Sequence, residues 1–408
     1  MSEDVTGPHR HRNNAKSVPA AEAAWGLSRD HGMLGLVVDA AEGQNRLRDI
    51  RTGHEFANLS SCSYLGLNSH PTVVEAGRAA LAEERITGLS MGEFRIRLGI
   101  TERLEEELAE HFGTHVLPSV SCGALSAAIL PLLASGHLTG SDPLVVVLDR
   151  FAHFSMNFLK PVLADETLVL TCPHNDMRYL EDVCKRYPRV AYVGEGVYST
   201  GGLADLEGIK DLQDRYGMFV YLDDSHAVSA VGERGEGYAR TVFDVLGPRT
   251  IVVASIAKAF GSTGGIAMVG DRAILELLYR SGPMAWSQGM RTAAVGTTLG
   301  ALEVHRSPEF GRRRRQLDRN VELFDERMRG HELRGTGSHI KFVTVGDNDR
   351  AVRLSTELYR RGYYCSAMFF PIVARGRAGV RMMLRGDMPT ELTERFADDL
   401  LDVLGRLG

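Results

Sequence analysis

The chain has 408 residues, of which 44% are hydrophobic and 24% charged, and a formal net charge of −5. That length supports a large core and more than one domain. The negative balance excludes a general basic field for nucleic acid, and no apolar run approaches the roughly 20 residues of a membrane span. The cysteines (Cys62, Cys122, Cys172, Cys184, Cys365) show neither metal spacing nor a disulfide framework, so no metal and a reducing, cytoplasmic setting are expected.

Residues 1–20 are polar and carry Pro, His and Arg, which predicts a flexible tail. The beginning of the chain has no apolar core of a signal peptide. Residues 21–60 form an N-terminal segment with one helix and two short strand-like runs. Pro71–Glu84 reads as a helix starting near Ser69 or His70. A second helix is predicted from Thr101 as N-cap to Phe112, with Leu104, Leu108 and Phe112 on one face and Gly113 as the stop. Between them, residues 88–99 (GLSMGEFRIRLG) have no clean period and hold two arginines, the mark of a functional loop.

From residue 116 strands and helices alternate. Strands are expected at 116–120, 144–148, 168–170, 190–193, 218–222 and 251–254, and helices at 124–134, 177–186 and 206–215. This pattern predicts an α/β domain over residues 61–290 with a mostly parallel sheet. A long helical pattern over 294–328, strands at 340–345 and 379–384 and a terminal helix at 390–407 predict a smaller α+β domain from residue 291. The run Arg312–Arg315 reads as a solvated helix face.

The stretch Ile251–Gly265, IVVASIAKAFGSTGG, poses the chemical question. Its apolar strand is followed at once by Lys258, and a lysine is costly there unless something uses it. Other polar residues fall at strand ends, where open α/β sheets place their sites. Asp223 to His226 follow one strand, Asp149 and His153 another, and Glu195 and Ser199 a third. Together they meet the needs of pyridoxal phosphate (PLP). Lys258 supplies the amine and Asp223 a carboxylate for the ring nitrogen. His226 supplies a donor for the phenolic oxygen, and His153 a flat partner for the ring. Ser121, Cys122 and Gly123 open a helix that suits a phosphate, with Ser255 and Ser262 or Thr263 adding hydroxyls.

Over roughly residues 55–405 the chain resembles the α-oxoamine synthases, fold type I PLP enzymes that include 8-amino-7-oxononanoate synthase and 2-amino-3-ketobutyrate coenzyme A ligase. The resemblance is carried by Tyr64-Leu65-Gly66-Leu67, His174-Asn175-Asp176, Glu195-Gly196-Val197-Tyr198-Ser199, Asp223-Asp224-Ser225-His226, Gly232 to Gly237, Ser255-Ile256-Ala257-Lys258 and Val345 to Asn348. It implies that Lys258 forms the Schiff base, that Asp223 pairs the ring nitrogen, that His226 and Ser199 reach the phenolic oxygen, and that His153 stacks. It also implies that Arg381 grips a substrate carboxylate. Ser287 lies in the segment that faces a neighbouring subunit, so a homodimer is expected. Ser63 and Arg95 lie in the segments assigned to substrate choice.

The implied reaction is decarboxylative condensation of an amino acid with an acyl thioester, on coenzyme A or a carrier protein, to an α-aminoketone. Several departures from the family, among them Cys62-Ser63, residues 88–99, 199–202 and 286–291, lean toward the α-aminoketone autoinducer synthases, which Phe151-Ala152-His153, Tyr198-Ser199-Thr200 and the spacing from Met91 to Phe112 resemble, and some of which take S-adenosylmethionine (SAM) as donor. An alternative is a SAM-derived, γ-eliminated donor that adds to another electrophile such as a nicotinamide nucleotide. A dehydrogenase built on Gly261–Gly265 is disfavoured, because that loop lacks the GxGxxG spacing.

Overall fold

The computed structural model describes residues 13–41, 46–140, 142–200 and 202–407. The chain divides into two compact units, one of residues 67–198 and 203–310 and the other of 1–66, 199–202 and 311–408.

The first unit is built on a seven-stranded sheet. Its strands are β1 (His115–Ser119), β2 (Val145–Asp149), β3 (Val169–Cys172), β4 (Val190–Glu195), β5 (Phe219–Asp223), β6 (Thr250–Ser255) and β7 (Gly265–Val269), in the order β1-β7-β6-β5-β4-β2-β3. Strands β2 to β6 are parallel, and β7 runs antiparallel to both β6 and β1. The strands are nearly continuous apolar runs because helices cover both faces of such a sheet. Strand β7 was not anticipated. Its apolar residues Ile266–Val269 follow a glycine-rich loop, and that loop masked them. Gly265 is required there, since a Cβ would stand 2.3 Å from the Cys122 nitrogen.

Helices α1 (Pro71–Glu84), α2 (Gly99–Phe112), α3 (Cys122–Ala134), α4 (Met177–Arg186), α5 (Leu206–Tyr216) and α6 (Thr292–His305) belong to this unit. Leu125, Ile129 and Leu133 of α3 share one core with Val146, Leu148, Val193 and Ile251 of the sheet. Helices α1 and α6 approach backbone to backbone. A Cβ on Gly296 would meet the Ala76 carbonyl oxygen at 2.5 Å, and one on Gly300 the Ala76 Cβ at 2.6 Å. Helix α2 begins at Gly99, not at Thr101, which is buried in its first turn. The pattern expected as one helix over 294–328 is broken after α6. Pro308 lacks the N–H a continuous helix needs, and it opens a second helix, Pro308–Arg327.

The division falls inside that second helix, between Phe310 and Gly311, and not at residue 290. The expected separate segment 21–60 is part of the second unit. Strands Val38–Ala40, Arg46–Asp49 and Glu55–Asn58 form a sheet completed by Tyr363–Tyr364, which runs parallel to Glu55–Asn58. Ala24 shares a small core with Ala351, Phe369 and Ala378, and the Trp25 ring meets Phe369 edge-on at 4.9 Å. Of the residues expected as a tail, 1–12 lie outside the described residues, and from Asn13 the chain is helical to Asp30. A second sheet in this unit orders Leu333–Arg334, Ile340–Gly346, Ala378–Met383 and Ser366–Met368. The helix Asn348–Arg360, capped by Asp347 through the Arg350 N–H at 2.9 Å, was not foreseen. Arg313, expected on a solvated face, donates to the Leu65 carbonyl at 2.8 Å. No helix among the described residues is long and apolar enough to cross a membrane.

Candidate active site

The carboxyl end of β5 meets the N-terminus of α3, and the carboxyl ends of β6, β4 and β2 lie beside it along the sheet. Asp223 ends β5 and is 5% exposed. Its Oδ1 accepts the Ser225 backbone N–H at 2.9 Å, and its Oδ2 faces the Cys122 thiol at 3.5 Å. The Ser225 hydroxyl accepts the Ser255 N–H at 2.7 Å, which ties the end of β6 to the same turn. His226, the next residue, is buried. Burial, with the Asp223 charge beside it, pushes the Cys122 thiol well up from its ordinary value. Cys122 is therefore a hydrogen-bonding thiol and not a nucleophile.

Ser121 caps α3, its Oγ accepting the Ala124 N–H at 3.1 Å. The first N–H groups of the helix, on Cys122 and Gly123, have no acceptor within it. A Cβ on Gly123 would stand in ordinary van der Waals contact with Ser121 Oγ at 3.8 Å and Ser155 Cβ at 3.9 Å. Lys258 is half-buried on the link between β6 and β7. That link is closed by Ile256 N–H to the Gly264 carbonyl at 3.1 Å and Gly261 N–H to the Lys258 carbonyl at 3.0 Å. Ser262 does not face this space. Its hydroxyl bonds Thr297 at 2.7 Å and Thr298 at 2.8 Å on α6.

Asp149, fully buried at the end of β2, organises the opposite wall. It accepts the Phe151 N–H at 2.7 Å and faces His174 Nδ1 at 3.1 Å. Phe151 stacks on the His174 ring at 4.6 Å. His153 follows, exposed, with Nδ1 accepting the Ser155 N–H at 3.2 Å. The His153 backbone N–H faces the carboxyl of Glu195, which lies buried at the end of β4.

The 88–99 loop is locked to residues 285–291. A Cβ on Gly92 would stand 2.2 Å from the Ala285 carbonyl oxygen, and one on Gly289 1.8 Å from the Glu93 carboxyl carbon. The Arg95 guanidinium lies 4.4 Å over the Trp286 ring, with Ser287 exposed beside it. A cleft of about 790 Å³ adjoins, lined by Glu93, Arg95, Arg97, Glu105 and Tyr279 among others. Arg97 holds Glu105 at 2.9 Å. Burial, then the Glu105 charge, push the Glu93 carboxyl up to about 7, against the pull of Arg97. Unfolded Glu93 releases its proton near its ordinary 4.5. Between 4.5 and 7 the native chain thus holds the extra proton, and stability falls as pH rises through that window. Glu93→Gln is expected to flatten this slope in melting temperatures recorded against pH.

The Aminotransferase class I and II family model matches residues 54–400. An 8-amino-7-oxononanoate synthase of Symbiobacterium thermophilum is 30% identical over 378 residues, 89% of this chain and 91% of that protein. A 2-amino-3-ketobutyrate coenzyme A ligase of Escherichia coli is 29% identical over 88% of this chain and 90% of its own. The chain belongs to the α-oxoamine synthases. Serine palmitoyltransferase of Sphingomonas wittichii shares the fold, with a TM-score of 0.85 at 21% identity over 96% of this chain and 98% of that one. Serine palmitoyltransferase of S. paucimobilis, with bound PLP–myriocin aldimine, gives 0.83 at 18% identity over 95% and 99%.

As a fold type I transferase, this α-oxoamine synthase takes PLP, and its donor set fits that group. A helix N-terminus, a buried carboxylate, an imidazole and an amine lie within one unit. Of the residues named from the sequence, Ser121, Cys122, Gly123, His153, Asp223, His226, Ser255 and Lys258 lie at these strand ends and helix start. Ser287 and Arg95 lie in the same unit, on the two interlocked loops. Ser199, Ser63 and Arg381 belong to the other unit. There Ser63 is buried, and Arg381 is half-buried on Ala378–Met383 with its Nε unpartnered. Sequence reading missed Ser225 and the Cys122 thiol as the grip on Asp223. It named Cys122 only for its backbone, and nothing in a single cysteine points to a carboxylate far along the chain.

Proposed function

We propose that this chain condenses an amino acid with an acyl thioester, on coenzyme A or a carrier protein, with loss of carbon dioxide, to give an α-aminoketone. The observation that carries the reading is the meeting of Lys258, Asp223 and the His153 turn at one end of the sheet. Bound PLP supplies the electron sink for the carbanion left when the amino acid loses its α-proton. Lys258 would hold the cofactor through its amine and would take the substrate's α-proton at Nζ. Asp223 holds the proton on the ring nitrogen. His226 and Ser199 would serve as donors to the phenolic oxygen, and His153 would lie against the ring. The N–H groups of Cys122 and Gly123, with Ser121 and Ser255, hold the phosphate, joined by Ser287 from the second subunit of a homodimer. Arg381 grips the substrate carboxylate, and Ser63 and Arg95 border the substrates.

The product class we favour is an α-aminoketone of secondary metabolism made in the cytoplasm, from a small amino acid or SAM. A second reading has a SAM-derived donor lose its γ-substituent and add to another electrophile, such as a nicotinamide nucleotide. The charged 88–99 loop, clamped on 285–291 beside a roomy cleft, favours it.

The test loads the purified protein with PLP and titrates glycine, alanine, serine and SAM, with and without acyl-CoA. The expected result is a visible cofactor band, with carbon dioxide and free thiol released in equal amounts only when an acyl thioester is present. Turnover of SAM without any acyl thioester, and none with one, selects the second reading. A protein that never develops the band overturns both.

A further inference from the structure

Glu195 and Asp223 are register partners on adjacent parallel strands, β4 and β5. Their side chains therefore leave the same face of the sheet, on strands about 4.8 Å apart. Glu195 is 3% exposed and Asp223 5%. Two carboxyl groups that close, shielded from water, do not both ionise without a large cost. The surroundings decide which one keeps the proton. Asp223 receives the Ser225 N–H on one oxygen and the Cys122 thiol on the other, donors that favour its ionised form. Glu195 faces the His153 backbone N–H.

We propose that Glu195 is a positioning residue that remains a neutral carboxylic acid, holds the His153 turn through its backbone N–H, and leaves Asp223 alone to carry the negative charge of the pair. The inference rests on the reading of the site given above and deepens it. The charged groups around Glu195 are Asp223 on β5, Asp149 at the end of β2 and Lys258 on the β6–β7 link. Burial comes first and the Asp223 charge second in pushing the Glu195 carboxyl well above the carboxylate range. Lys258 and the His153 N–H oppose this shift and do not cancel it. A neutral Glu195 adds no second negative charge beside Asp223 and still faces the turn that carries His153.

Infrared difference spectra of the cofactor-free protein, wild type minus Glu195→Gln at neutral pH, test the protonation directly. The expected difference is the C=O stretch of a protonated carboxylic acid; the stretches of an ionised carboxylate in its place overturn the proposal. With PLP bound, Glu195→Gln is expected to keep the visible band and its pH profile, and kcat within about threefold of wild type. Glu195→Ala, which releases the His153 turn, keeps the band while kcat falls about 10- to 100-fold. A Gln variant as impaired as the Ala variant also overturns the proposal. Failure of the underlying reading looks different, because then the wild type itself shows no cofactor band.

Discussion

Lys258→Ala is expected to lose the visible band of the lysine-bound cofactor and at least about 10³-fold in kcat, because one change removes both the covalent anchor and the base. The loss is chemical and not structural. The link between β6 and β7 is closed by backbone bonds, among them Ile256 to Gly264 and Gly261 to Lys258, and none uses the lysine side chain. The side chain is half-buried, and its removal opens no sealed core cavity. The melting temperature of the cofactor-free variant should therefore match wild type to within about 2 °C, since surface-like truncations stay within about 0.5 kcal/mol. Small primary amines added to Lys258→Ala should restore a fraction of turnover. A variant that retains both band and turnover would show that another amine, or none, does the work.

The sheet was legible because buried parallel strands leave a plain trace: apolar runs of strand length separated by amphipathic helices. Helix α4 was read at its observed bounds, Met177–Arg186, because Asp176 caps it and Leu180, Val183 and Cys184 share a face. The strand-end residues were legible for the same reason, since a polar residue directly after an apolar strand sits at the rim of the sheet. What escaped depends on contacts between distant residues. Gly265 looked like part of a flexible loop, yet it is a strand start pressed against the Cys122 nitrogen. Gly66 marked a turn, but the reason no side chain fits is the Asp387 carboxylate, 2.1 Å from where a Cβ would be, at a φ of +66°. The N-terminal strands joined the C-terminal unit through Ala57 and Tyr363, a pairing no local pattern announces. Glu195 was visible as a strand-end acid, but its partner across the sheet emerged only with the β4–β5 register.

Asp223→Asn changes one atom and is expected to cost about 10²- to 10³-fold in kcat, the usual effect of removing one preorganised electrostatic partner. Asparagine keeps an oxygen for the Ser225 N–H, so the turn survives. It does not hold a proton on the ring nitrogen, so the electron sink weakens and the cofactor band shifts. Cofactor affinity should fall much less than kcat, because the helix N-terminus and Lys258 are untouched. The same substitution acts on Glu195. The Asp223 charge is the second contribution, after burial, that pushes the Glu195 carboxyl up, and Asn removes it. Glu195 should then titrate at lower pH than in wild type, seen as earlier loss of its protonated C=O stretch as pH rises. Because the two residues share one proton, their effects should not add. Glu195→Gln, near neutral in the wild type, should in the Asp223→Asn background remove the only acid at this register position, and the double-mutant cycle should show coupling of about 1 kcal/mol or more. Strict additivity, with the Glu195 titration unmoved, would mean that the two carboxyl groups act independently despite their register.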